Sequence, residues 1–87
     1  MPAISLAVRC QNQGEVDQLW AKLSADKESE QCGWLKDKYG LSWQIVPTAL
    51  IEMMSDPDPA KSKRVMEALM QMKKLDIALL KRAYAGV

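Results

Sequence analysis

The sequence predicts an α+β domain in β-α-β-β order with a C-terminal helical extension, and three observations carry that reading. Residues 3 to 10 alternate along the chain, Val16, Leu19, Trp20 and Leu23 recur at helical spacing, and residues 32 to 47 read as two strands about a glycine-bearing turn. The 87 residues amount to one domain, with a β-α-β-β core over residues 1–48 and a helical tail over 49–87. A hydrophobic content of 48% supplies a core, yet a domain this small leaves much apolar surface uncovered, so a partner is expected.

In the first strand Ile4, Leu6, Val8 and Cys10 point one way and form the better core face, while Ala3, Ser5, Ala7 and Arg9 point the other. Asn12 followed by Glu15 resembles a capping box, which opens an amphipathic helix over roughly residues 13–25. Its stripe, Trp20 included, is expected to cover the Ile4 face of the strand. The charged run of residues 26 to 30 leaves a loop or one very short strand.

If Lys38 and Tyr39 occupy the turn before Gly40, Trp34 falls opposite Trp43 and Cys32 opposite Ile45, whereas a one-residue bulge shifts that pairing. In both cases Trp34, Trp43 and Ile45 are expected to face the helix, with Leu35, Ser42, Gln44 and Val46 on the opposite face. Pro47 ends the second hairpin strand, and Thr48 is expected to cap a short helix carrying Leu50, Ile51, Met53 and Met54. Asp58, with Pro59 at the first helical position, starts a longer helix whose stripe is Val65, Met66, Leu69, Met70 and Met72. Asp76 starts a last helix containing Ile77, Leu80 and Tyr84.

Several function classes are disfavoured by composition. Twelve basic against eleven acidic residues give a formal charge of +1, without the excess that binding a phosphate backbone requires, so no nucleic-acid partner is expected. No run approaches membrane length, and the strand-like start lacks the pattern of an export signal. Cys10 and Cys32 form no C-x-x-C pair and read as buried free thiols in apolar strand patterns, which fits a reducing cytoplasm, the alternative being a two-cysteine zinc site shared across a dimer. Without histidine there is no Ser-His-Asp or Cys-His arrangement and no histidine metal ligand. Asp56 and Asp58 read as turn and cap residues, leaving no carboxylate pair for acid and base work, so no catalytic residue is assigned. The methionines read as core or interface filling.

Four segments together resemble the C-terminal half of a bacterial family labelled 3-demethylubiquinone-9 3-methyltransferase-like, within the glyoxalase/bleomycin-resistance (vicinal oxygen chelate) superfamily. They are Glu15-Val16-Asp17 followed by Leu19-Trp20, Cys32-Gly33-Trp34-Leu35-Lys36-Asp37, Ser42-Trp43-Gln44-Ile45-Val46-Pro47-Thr48, and Ser55-Asp56-Pro57-Asp58-Pro59. The resemblance implies a half-module of a fold that carries two βαβββ modules around a shared cavity. It therefore implies a homodimer that replaces the missing half, or a fragment whose partner is another chain.

The same resemblance places a metal-binding glutamate where this chain has Gln44 and a histidine near residues 3 to 5, where there is none, so no metal site is expected. Asp37 and Gly40 match the superfamily's turn. All four glycines are isolated, so no nucleotide-like cofactor is expected, and the methyltransferase label carries no mechanism. The sheet face turned away from the helix is then the candidate ligand surface, with Ser5, Arg9, Leu35, Ser42 and Gln44 as binding residues and Arg9 as a fixed cation for an anionic end. A metal-free small-molecule-binding homodimer is the leading expectation. Its rivals are an enzyme that uses Arg9 and Gln44 in a cavity between two chains, and an interaction subunit that docks through its Met-rich helices.

Overall fold

The computed structural model describes residues 5–87. It contains β1 (Ser5–Cys10), α1 (Gln13–Leu23), a single 3-10 turn (Lys27–Ser29), β2 (Trp34–Lys36), β3 (Ser42–Pro47), α2 (Thr48–Met54), α3 (Pro59–Leu69) and α4 (Ile77–Ala85). Ala3 and Ile4 of the expected first strand lie outside the described residues. The sheet has the order β1-β3-β2, with β1 parallel to β3 and β2 antiparallel to it.

Asn12 caps α1 by accepting from the Glu15 N–H at 2.9 Å, and the Glu15 carboxylate reaches back to the Gln11 N–H at 2.6 Å, one residue before the ideal capping-box partner. The helix packs Val16 and Trp20 with Cys10, Leu35 and Ile45 in one buried cluster, against which Val8, Leu19, Leu23 and Trp43 lie. It sits mainly over the central strand β3, so Leu6 on the edge strand, expected in the core, remains 43% exposed. Residues 26 to 30 form the 3-10 turn instead of a loop or strand, because the Asp26 carboxylate accepts from the Glu28 N–H and the Ser29 hydroxyl. Glu30 ties this turn to α1 by accepting from the Trp20 indole N–H at 2.9 Å and from the Ser24 hydroxyl at 2.5 Å.

The hairpin departs from the expected register. Leu35, not Trp34, lies opposite Trp43, and Trp34 lies opposite Gln44. The cause is the Asp37 carboxylate, which accepts from the Tyr39 and Leu41 N–H groups and from the Trp43 indole N–H. These bonds close a five-residue loop from Asp37 to Leu41 in place of a two-residue turn. A shift of one residue exchanges the two faces of a strand, so Leu35 enters the core and Trp34 moves to the outer face. The expected tryptophan pair does not form. A second turn precedes β2: Gln31 and Trp34 exchange backbone hydrogen bonds of 3.1 and 2.8 Å around Cys32 and Gly33, both at positive φ (53° and 88°), as in a type I′ turn.

The tail builds a second buried cluster from Leu50, Met53, Val65, Leu75 and Leu80, and Val46 of β3 packs against it. Neighbouring strand residues point to opposite faces, so the tail covers the Val46 end of the face opposite α1. Pro47, not Thr48, occupies the cap position of α2, where no side chain caps the helix; the Thr48 hydroxyl instead accepts from the Gln11 amide. Asp58 and Asp76 cap α3 and α4 as expected, accepting from the Ala60 and Leu79 N–H groups.

Gln13 joins the two clusters: its amide donates to the Leu75 carbonyl at 3.0 Å and accepts from the Ile77 N–H at 2.7 Å. Of the expected α3 stripe only Val65 is fully buried, whereas Met66 and Met70 are exposed. Among the described residues no helix is long and apolar enough to cross a membrane.

Candidate functional site

The sheet face opposite α1 presents Ser5, Ala7 and Arg9 from β1, Ser42, Gln44 and Val46 from β3, and Trp34 and Lys36 from β2. Only its Val46 end is covered by the tail. Toward the other end an open hollow of about 580 Å³ lies between the 3-10 turn and the hairpin, lined by Glu28, Gln31, Cys32, Trp34, Lys36 and Ser42 among others. That volume is within the range of small-molecule sites. An indole supplies a flat apolar wall, Lys36 and Glu28 supply opposite charges, and Ser42 and Gln31 supply hydrogen-bonding groups.

The sequence-predicted residues separate on this face. Ser5 and Ser42 are register partners at the open end, and Gln44 lies two residues further along β3, opposite Ala7 and Trp34. Arg9 lies opposite Val46 near the tail, and it borders a smaller hollow of about 300 Å³ with Glu15, Gln18 and Lys22 of α1. Leu35 corrects the expected face: its side chain is buried in the cluster beneath α1 and not beside Ser42 and Gln44, although the residue still borders the hollow. Trp34 and Lys36 stand on that face instead, because the β2–β3 register lies one residue from the expected one. The sequence signal that points to them is Asp37 itself, since an Asp side chain bonds backbone N–H groups of the residues that follow and so favours a wider Asx turn.

The hairpin geometry also sets the local electrostatics. The Trp43 indole bonded to Asp37 holds that carboxyl below its ordinary value, with the backbone N–H groups acting in the same direction. Burial raises the Cys10 thiol, and the nearby Glu15 carboxylate adds to the effect, so Cys10 is the inert core thiol of the pair.

The residues do not fit a catalytic divalent metal. Gln44, at the position where the resemblance implies a glutamate, offers an amide oxygen that is a poor substitute for a carboxylate, and among the described residues no three His, Cys, Asp or Glu side chains converge. The connection from β1 to α1 carries one glycine, Gly14, already inside the helix, and gives no glycine-rich cradle for a nucleotide-like methyl donor.

A family model described as 3-demethylubiquinone-9 3-methyltransferase matches residues 1–46, which span the strand, the crossover helix and nearly all of the hairpin. Comparison with curated proteins gives no match.

Proposed function

The chain belongs to the 3-demethylubiquinone-9 3-methyltransferase family, and on that premise we propose that it is a small-molecule-binding module that uses no metal to hold its ligand and whose outer sheet face is completed by a second copy of the chain. The observation that carries this reading is the hollow at Trp34, Lys36 and Ser42, on a sheet face that the chain's own helices cover only at its Val46 end. A ligand with an aromatic or conjugated body would lie against the Trp34 indole, and an anionic substituent would meet Lys36. Ser42 and Gln44 would supply orienting hydrogen bonds. Within one chain the hollow is open, and among the described residues β1 is hydrogen-bonded to a strand on one side only. Both features suit closure by an identical partner about a twofold axis.

The test pairs a solution mass measurement with thermal-shift titration against a panel of aromatic carboxylic acids. Expected are a dimer at micromolar concentration and a stabilising acid whose effect is lost in Trp34→Ala and reduced in Gln44→Ala. A monomer throughout would remove the shared cavity. Stabilisation that persists in both variants would remove the outer face as the site.

Docking to another protein through the tail is a second reading, favoured by the exposure of Met66, Met70 and Leu79 on α3 and α4. It differs in requiring no occupant at Trp34.

A further inference from the structure

Two sulfur donors meet at the rim of the hollow, Cys32, which lines it, and Met70, which does not. Cys32 Sγ lies 3.9 Å from Met70 Sδ, although the two residues are 38 positions apart in the chain. Neither is positioned by a loose loop. The Cys32 N–H donates to the Met72 carbonyl and the Gly33 N–H to the Lys73 carbonyl, both at 2.8 Å, which fastens the turn before β2 to the segment between α3 and α4. Met70 is the C-cap of α3 and donates its N–H to the Met66 carbonyl at 3.0 Å. Cys32 also holds a φ of 53°, a region where a residue with a side chain is uncommon and where Asn, Asp or Gly would be accommodated at less cost.

We propose that Cys32 and Met70 form a binding site for a soft monovalent cation, Cu(I), with Met66 as the third donor. Thiolate and thioether sulfur select Cu(I), whereas oxygen ligands suit magnesium and calcium. With bonds of about 2.3 Å to each sulfur, a separation of 3.9 Å closes an angle of about 115° at the ion, which leaves a trigonal position open. Met66 lies one turn before Met70 on the same side of α3, where residues four apart are neighbours. At 42% and 54% exposure, Met66 and Met70 give the ion a path from solvent. A structural zinc site would need four nitrogen or sulfur ligands, and no third His, Cys, Asp or Glu joins Cys32 among the described residues. Binding exchanges the thiol proton for the metal: the S–H bond breaks, the proton passes to solvent, the S–Cu bond forms, and the oxidation state of copper does not change.

The experiment is an anaerobic competition between the protein and bicinchoninate for Cu(I), followed by loss of the coloured chelate and by thiolate-to-copper charge-transfer absorption. Expected is transfer of one equivalent to the unmodified chain, no transfer to Cys32→Ser, and affinity weaker by about tenfold or more in Met70→Leu, equivalent to about 1.4 kcal/mol. Met70 is exposed, so Met70→Leu leaves the fold intact and decides the question even if Cys32→Ser loses its far-UV circular dichroism. No transfer to the unmodified chain would overturn the proposal, as would unchanged affinity in Met70→Leu, since a lone thiol would then account for binding. Equally tight Zn(II) binding that is lost in the same variants would overturn the assignment to a soft ion.

Discussion

Replacing Leu75 by Ala tests whether the sheet and the tail form one cooperative unit. Leu75 is fully buried between α3 and α4, and its side chain also lies over Gly33, where a Cβ would come within 3.2 Å of Leu75 Cδ1. The residue therefore touches both the tail cluster and the turn that opens the hairpin. Removing a buried leucine side chain costs about 2–5 kcal/mol through lost transfer energy and the residual cavity. A chain of 87 residues at about 0.05–0.15 kcal/mol per residue has about 4–13 kcal/mol in total. A loss of about 3 kcal/mol would thus be a large share of its stability, lowering the urea midpoint by about 2 M at a slope of about 1.5 kcal/mol per molar.

The assay follows urea unfolding by tryptophan fluorescence, which reports Trp20, Trp34 and Trp43 in the sheet and α1, and by far-UV circular dichroism, to which the tail helices contribute. Both transitions should move down together. The reasoning is refuted if fluorescence stays put while the helical signal moves, because Leu75 would then belong to the tail alone.

Two further outcomes follow from single contacts. Gly40→Ala meets nothing within 4 Å and should cost only the left-handed backbone penalty of about 1–2 kcal/mol, whereas Gly33→Ala also presses on Leu75 and on the Ile45 carbonyl at 3.3 Å and should cost about twice as much; equal urea midpoints for the two variants would contradict the packing described. The Tyr84 hydroxyl bonds to Asp56, which lowers the Asp56 pKa below 3.8 and raises that of Tyr84 above 10.0. A lowered carboxyl contributes stability above its ordinary value and loses it as pH falls through the folded value; a raised phenol contributes below its ordinary value and loses it as pH rises through the folded value. The melting-temperature difference between the unmodified chain and Tyr84→Phe should therefore hold between about pH 4 and pH 10 and shrink at both extremes, and a difference independent of pH would exclude this contact as its source.

The elements legible in the sequence are those whose signals are local. Asn12, Asp58 and Asp76 act within three residues, so the starts of α1, α3 and α4 follow from the side chains alone. The inward direction of Cys10, Val16, Trp20 and Ile45 follows from simple periodicity. What failed depended on a choice between near-equal turns. Asp37 binding three N–H groups moved Trp34 outward and Leu35 inward, and so replaced one member of the expected ligand face. Leu6 failed for a different reason, because alternation gives the face of a strand but not how far a helix extends across the sheet. The contact of Cys32 with Met70 joins segments 38 residues apart and has no sequence signature.

The parallel pairing of β1 with β3 also sets an order of events. The β2–β3 hairpin closes through a five-residue loop, and such hairpins form in about 1–10 μs. Ser5 to Cys10 must instead wait for Ser42 to Pro47 to be in place, which requires closing a loop that contains α1, the 3-10 turn and β2. During synthesis β1 leaves the ribosome before its only described partner strand exists. In a crowded refolding mixture the slot on β3 is the same in every copy, so the first strand of one molecule can complete the sheet of another. Slow refolding that gives a concentration-dependent share of strand-exchanged dimers is the behaviour this topology implies.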